Sequence, residues 1–373
     1  MKVLVCIPCL MTGGTEIQTL NLVSALVLAG HEVATVCYFE YSQEMVENYK
    51  QAGSKVILLS PDGERPEGIK DTVRVLFNGF KNVLKCEKPE VVHVQYMAPG
   101  AIPIFILRLL GVKRIVATAH TPADIYSSLK LLHLVSRHIL TAFQCITKRA
   151  EESFFGSSCL YEPGMTLANR GNHFTIYNSL PPYIAILDTP KRFDKPITIG
   201  VVSRLEPIKG MDLVIPAFTR IYAKHAEARL LVVGDGSLRS LMEQQVRDAN
   251  IAEAVDFAGR QGQDVLQGYY DRIDILLMPS RSEGFGLTAI EGMARGCVVV
   301  AADTGGLPEV VINGEVGLLH REEDVSDIAD RVNRLIDERG ELFRLSLNAV
   351  NYVLNFSIEK YNSSIRDLYN RLY

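Results

Sequence analysis

Short apolar runs alternate with longer amphipathic segments along the whole chain, and that alternation leaves few folds open. In the first half the runs fall at 3–8, 32–38, 55–59, 91–94, 114–119 and 144–147, with helical patterns between them, for example at 16–29 and 69–85. In the second half they fall at 197–203, 229–233, 255–258, 275–279, 298–301 and 317–319, separated by helical patterns at 211–224, 238–249, 265–270 and 287–294. A strand buried on both faces reads as an unbroken apolar run, whereas a strand with one wet face alternates. Strands of the first kind, spaced by helices, form parallel sheets covered on both sides. The expected fold class is therefore α/β, built on doubly wound sheets.

At 373 residues the chain is too long for one comfortable core and suits two domains of roughly 180 residues each. The periodicity breaks at 179–195, where Pro181, Pro182 and Pro190 interrupt it and Pro196 follows just beyond. The expectation is two Rossmann-like domains facing across a cleft: an N-terminal one over 1–180 and a C-terminal one over 190–356. The closing segment 357–373 reads as a helix crossing back onto the first domain. Ligands of such sheets sit outside the carboxyl ends of the strands, so the cleft is the expected active site.

Several function classes fall away. A net charge of −4 supplies no global field for nucleic acid. The longest apolar stretch, 101–112, is cut by Arg108 and falls short of the ~20 residues that cross a membrane. Lys2 with the apolar 3–11 imitates a signal peptide, but no small-residue cleavage site follows, and it reads as a first buried strand. Seven cysteines, an odd number set mostly in apolar runs, suit a reducing cytoplasm. Cys6-Ile7-Pro8-Cys9 has redox spacing, yet no helix opens at its first thiol, which argues against a catalytic dithiol. Zinc lacks a second ligand pair.

The chemistry concentrates in the second half. Pro279 ends a strand just before the stretch Arg281-Ser-Glu-Gly-Phe-Gly-Leu-Thr-Ala-Ile-Glu291, within which Leu287 opens a helix. The free N–H groups and dipole of that helix start suit phosphate, and Gly284 and Gly286 allow close approach. Glu283 and Glu291 cannot bind phosphate, but they can accept hydrogen bonds from hydroxyls of a sugar or ribose. Taken alone, the pair reads equally well as two ordinary glutamates on a solvated helix. Upstream, Arg204 is expected to end a strand and Lys209 to open the next helix beside Gly210. Two cations at such a turn suit a diphosphate, the Arg in bidentate fashion and the Lys as a point charge. Val233-Gly-Asp-Gly-Ser237 and Asp303-Thr-Gly-Gly-Leu-Pro-Glu309 are two more glycine-rich turns at the same sheet end.

In this order and spacing the motifs resemble the family 4 retaining glycosyltransferases of the two-Rossmann-domain (GT-B) fold. The first half matches more loosely, through Gly13-Gly14-Thr15-Glu16 and His120. The resemblance implies that Arg204 and Lys209 neutralise the donor diphosphate and stabilise it as leaving group. It makes Glu283 the reader of donor-sugar hydroxyls, with Gly284, Phe285, Gly286 and Leu287 supplying backbone contacts. Glu291 would hold the ribose, Gly259 and Arg260 would lie along the base, and Gly234 belongs to the same donor set. Gly13 and Gly14 would lie near the phosphates from the opposite domain, and His120 by the reacting carbon. UDP-sugars are the favoured donors and GDP-mannose the second. Tyr177-Asn178-Ser179 departs from the Asn-Gly turn usual there.

The implied mechanism is front-face attack, in which the departing phosphate itself takes the acceptor's proton and no carboxylate is covalently modified, unlike a retaining glycosidase. No Asp-x-Asp occurs, so no metal and no cofactor are expected; Arg204 and Lys209 supply the charge a divalent ion would bring. The expected acceptor is a glycan or lipid-linked saccharide of cell-envelope polysaccharide synthesis. The stretch 129–140 is amphipathic with a basic side, and two readings of it stay open. One is a core-packed helix with a solvated face, which is preferred; the other is peripheral contact with an anionic membrane at its inner face. Competing functions are a sugar-nucleotide epimerase of the same architecture and a non-catalytic nucleotide-sugar-binding protein. A dinucleotide oxidoreductase is disfavoured because the first loop lacks G-x-G-x-x-G.

Overall fold

The computed structural model describes residues 1–97, 99–121, 128–165, 171–194 and 196–372. Two compact units make it up: Met1–Ser179 together with Ile358–Tyr373, and Leu180–Ser357.

The first unit is a parallel sheet of seven strands, β1 (Lys2–Ile7), β2 (Glu32–Cys37), β3 (Lys55–Leu58), β4 (Val91–Tyr96), β5 (Ile115–Ala119), β6 (Ala142–Cys145) and β7 (His173–Thr175), in the order β3-β2-β1-β4-β5-β6-β7. Its helices are α1 (Gly14–Leu28), α2 (Gln43–Gln51), α3 (Ile69–Glu87), α4 (Ile102–Leu109), α5 (Leu129–His138) and α6 (Lys148–Phe155). β4 and β5 are buried throughout and β1 from Val3 onward, which is why their sequences are largely apolar. The sixth strand lies two residues earlier than its sequence suggests, because Thr147 caps α6 instead, its hydroxyl accepting from Ala150 N at 3.2 Å. β7, three residues at the sheet edge, was not expected.

The second unit is a parallel sheet of six strands, β8 (Thr198–Val202), β9 (Arg229–Val233), β10 (Val255–Gly259), β11 (Ile275–Met278), β12 (Val298–Ala302) and β13 (Gly317–His320), in the order β10-β9-β8-β11-β12-β13. Helices α7 (Met211–Lys224), α8 (Arg239–Asp248), α9 (Gln263–Arg272), α10 (Leu287–Ala294), α11 (Leu307–Val310), α12 (Val325–Asp337) and α13 (Arg339–Tyr352) accompany it. Register puts Ile199 between Leu230 on β9 and Ile275 on β11, all three buried. Each such side chain contributes roughly 1.5–3 kcal/mol of burial.

The last helix, α14 (Ile358–Arg371), returns to the first unit and packs along α1. It buries Tyr361, Ile365, Leu368 and Tyr369, and the Tyr369 hydroxyl meets His93 Nδ1 on β4 at 2.7 Å. No helix among the described residues is long and apolar enough to cross a membrane.

Candidate functional site

In the second sheet β8 is the switch point, because its neighbours β9 and β11 are reached by leaving it in opposite directions. The turns after β8 and β11 therefore open side by side at the carboxyl ends of the strands, where ligands of such sheets bind. These turns are interlocked at backbone distance. Gly210 has φ +65°, and a Cβ there would lie 1.9 Å from the Pro279 carbonyl oxygen. Gly305 has φ +53°, and a Cβ there would lie 2.0 Å from the Glu283 carbonyl oxygen, which accepts from Gly306 N at 2.9 Å. Only glycine meets both demands of left-handed backbone and contact with a neighbouring main chain.

The turn after β9 joins the same assembly. Leu205 N donates to Asp235 O at 2.9 Å, Glu206 accepts from the N–H and hydroxyl of Ser237, and Gly234 N reaches Gly259 O at 2.8 Å. Arg281 pins two turns together: it forms a bidentate pair with Asp212 at 2.7 and 2.8 Å, binds Glu323, and donates to the Pro207 carbonyl. Hydrogen bonding to Asp212 and then to Glu323 holds the Arg281 guanidinium far above its ordinary pKa, a permanent cation spent on structure. Sequence reasoning gave Arg281 no role, although its position two residues before Glu283 marks it.

Two cations and one carboxylate remain at the mouth. Arg204 is exposed, and its guanidinium makes no hydrogen bond among the described residues. Lys209 Nζ donates to Glu283 Oε2 at 2.6 Å, both side chains about four-fifths buried at 20% and 17% exposure. Two placements differ from expectation. Arg204 stands two residues beyond β8, which ends at Val202, and Lys209 closes a 3-10 turn over Pro207–Lys209 rather than opening α7. Pro207 starts that turn, and the left-handed Gly210 ends it and redirects the chain into α7.

The segment 283–291 leads from β11 into α10. Gly286, with φ +101°, caps the helix, so the N–H groups of Leu287 and Thr288 precede the first intrahelical bonds, which run from Ala289 and Ile290 to Gly286 O. The Phe285 ring is buried, edge-on to Phe356 with centroids 5.6 Å apart, so only its backbone is available. Glu291 is buried within α10; its Oε1 accepts from the Tyr183 hydroxyl at 2.9 Å and its Oε2 from the Tyr270 hydroxyl at 2.6 Å. Burial pushes its carboxyl up to about 7, against the downward pull of Tyr270 and Tyr183. Neither tyrosine is visible from sequence spacing. Gly259 ends β10 and Arg260 stands exposed beyond it.

Gly13, Gly14 and His120 belong to the other unit. Gly13 caps α1 at the end of the loop that follows β1, and Gly14 opens the helix. His120 follows β5, and its Nε2 meets Gln95 Oε1 on β4 at 2.5 Å. Burial holds its imidazole down at about 4, so it is neutral at pH 7. Of the residues close after it, 122–127 lie outside the described residues. Cys9 donates its thiol to Glu16 Oε1 at 3.1 Å, and burial, aided by Glu16, pushes it up to about 12. Burial raises Cys6 as well, so both are thiols, the opposite of an activated redox pair.

Comparisons with known proteins find matches to both halves of the chain. Residues 185–351 match the model of glycosyl transferases group 1, and residues 12–152 match that of glycosyltransferase family 4. An uncharacterized glycosyltransferase of Methanocaldococcus jannaschii is 26% identical over 368 residues, covering 96% of this chain and 95% of the relative. A GDP-mannose-dependent alpha-(1-6)-phosphatidylinositol monomannoside mannosyltransferase of Mycobacterium tuberculosis is 28% identical over 260 residues, covering 64% of this chain and 66% of the relative. An Anabaena protein, solved in complex with UDP and glucose, superposes with a TM-score of 0.78 at 17% identity, each chain covered in full. That likeness shows the fold, two Rossmann-like domains of the GT-B type. The chain belongs to the family 4 glycosyltransferases, and it is an enzyme of that class.

Proposed function

We propose that the enzyme moves a sugar, with retention, from a nucleoside-diphosphate sugar to a hydroxyl acceptor, with Arg204 and Lys209 holding the diphosphate. The observation that carries this reading is the Lys209–Glu283 pair, which joins the turns after β8 and β11, with the exposed Arg204 on the same β8 turn as Lys209. Two cations there neutralise a leaving diphosphate, while a carboxylate paired to one of them accepts from sugar hydroxyls. Glu291 then takes the ribose, the α10 N-terminus with Gly284, Gly286 and Leu287 takes phosphate and sugar through the backbone, and Gly234, Gly259 and Arg260 line the nucleotide. Gly13, Gly14 and His120 act from the first unit. The neutral His120 presents Nδ1 as an acceptor because Nε2 is committed to Gln95. In the transfer, the bond from the anomeric carbon to the diphosphate breaks, and the leaving oxygen takes the acceptor's proton. The acceptor oxygen bonds to the same face of that carbon. Arg204 and Lys209 make a divalent ion unnecessary.

A UDP-sugar is the preferred donor and GDP-mannose the second; the Anabaena complex carries UDP, and the mycobacterial relative is named for GDP-mannose. Thermal shift against a panel of nucleotide-sugars, followed by transfer assays in excess chelator, tests this. The cognate donor at about a hundred times its Kd adds ~2.7 kcal/mol, and turnover with release of nucleoside diphosphate persists without metal. Stabilisation without turnover on any saccharide acceptor, or activity abolished by the chelator, overturns it.

The acceptor reading is a glycan or lipid-linked saccharide of the cell envelope, met at the cytoplasmic face of an anionic membrane. α5 packs inward through Leu132 and Val135, yet it presents Leu129, Leu131 and Leu134 to solvent at 39%, 43% and 50% exposure, beside the exposed Lys130 and Arg137. Exposed leucines interleaved with cations are what an interfacial helix requires. The enzyme is expected to float with vesicles containing phosphatidylglycerol and not with phosphatidylcholine alone, and Leu131→Ser with Leu134→Ser abolishes flotation. No flotation in either case removes the membrane from the reading.

A further inference from the structure

Glu291 is a carboxylate with almost no water, 5% exposed, yet it is held by two hydroxyls from separate elements. Tyr270, fully buried on α9, donates to one oxygen at 2.6 Å; Tyr183, on the segment after Leu180, donates to the other at 2.9 Å. A carboxylate offers about four acceptor directions, two on each oxygen. We propose that Tyr270 and Tyr183 are positioning residues for Glu291, each filling one acceptor direction on its own oxygen and leaving two for the 2′- and 3′-hydroxyls of the donor ribose. The inference rests on the reading of Glu291 as the ribose-holding group.

The chemistry is selective because a hydroxyl of a cis-diol donates to a carboxylate but competes with the proton of a carboxylic acid. Burial drives Glu291 toward the acid, and the tyrosyl hydroxyls oppose that drive. The ionisable groups about it are Tyr270 on α9 and Tyr183 on the linking segment; behind Tyr270 lie the Cys297 thiol and the Lys191 ammonium, which donate to the Tyr270 carbonyl at 3.3 and 3.2 Å. Among the described residues neither Glu291 oxygen is paired with a cation; their partners are the Tyr183 and Tyr270 hydroxyls. Ionisation at Glu291, and with it ribose recognition, therefore depends on these two hydroxyls.

The experiment measures donor KM and kcat from pH 6 to 9 for the wild type, Tyr270→Phe and the half-buried Tyr183→Phe, which keeps the test open if the first variant folds poorly. A parallel arm compares UDP with 2′-deoxy-UDP binding to the wild type. Expected are a wild-type kcat/KM that rises about tenfold from pH 6 to 8, and a donor KM raised about tenfold at pH 7 in either variant. That defect shrinks toward pH 9, while kcat stays within about twofold. A KM defect of equal size at every pH overturns the inference, since loss of packing alone is indifferent to protons. Should the wild type bind UDP and 2′-deoxy-UDP equally, the ribose reading of Glu291 falls and takes the inference with it. Discrimination in the wild type with an unmoved pH profile in both variants removes only the tyrosines' role.

Discussion

Lys209→Ala lowers kcat by about 10²–10³-fold at saturating donor, and Arg204→Ala does nearly the same. The reason lies in when the charge is needed. In the ground state the donor's diphosphate already carries negative charge, and Lys209 is shared with Glu283 at 2.6 Å. As the anomeric bond breaks, additional charge collects on the leaving oxygen, and a fixed cation stabilises that state more than the one before it. An interaction realised mainly in the transition state lowers kcat and kcat/KM together, so saturating donor does not rescue the variant. Lys209→Arg restores only part of the rate, since a planar fork does not replace a point charge on a turn fixed by Gly210 and Arg281. Steady-state kinetics with nucleotide release as readout checks this, and thermal unfolding of each variant separates a catalytic loss from a folding one. A variant whose KM alone rises, with kcat unchanged, would show that the cations bind the donor uniformly and do not assist its departure.

How much of this was legible in the sequence follows from the range of each interaction. The parallel strands are buried on both faces, so runs such as Val298–Ala302 announce themselves without context. The glycine-rich turns are equally local: Gly210 and Gly305 are required where backbones touch, and their spacing from Arg204, Lys209 and Glu283 survives in the linear order. What the sequence hides is pairing at a distance. Lys209 and Glu283 are 74 positions apart, and Tyr183 and Glu291 are 108 apart; nothing in their local neighbourhoods encodes either contact. The same holds for α5, whose period fits a core-packed helix as well as an interfacial one. That Leu132 and Val135 pack inward while Leu131 and Leu134 stay outside is a three-dimensional fact the period does not give. β7 escaped because three residues at a sheet edge carry too little pattern to stand out from a loop.

Glu283→Gln separates sugar reading from nucleotide binding, and it is expected to cut transfer by about 100-fold while leaving affinity for free nucleoside diphosphate undiminished. Gln keeps the size and one acceptor, but it loses the charge that makes hydrogen bonds from sugar hydroxyls strong, a loss of ~1.5–3 kcal/mol for a charged partner. At the same time it releases Lys209 from its ion pair, and a freed ammonium on the turn it shares with Arg204 attracts phosphate at least as well as before. Opposite movements of transfer and nucleotide affinity are therefore the signature, and calorimetry with UDP beside a transfer assay reads both. A non-catalytic nucleotide-binding protein has no transfer to lose, and an epimerase would return altered nucleotide-sugar without free UDP. Equal loss of UDP binding would mean that Glu283 supports the phosphates through Lys209 and does not read the sugar. The variant also tests the chemistry of retention, because front-face attack requires no bond from the carboxylate to the anomeric carbon. Intact-mass measurement of the wild-type enzyme turning over a slow donor should find no added glycosyl group; an adduct on Glu283 would replace front-face transfer with a double displacement.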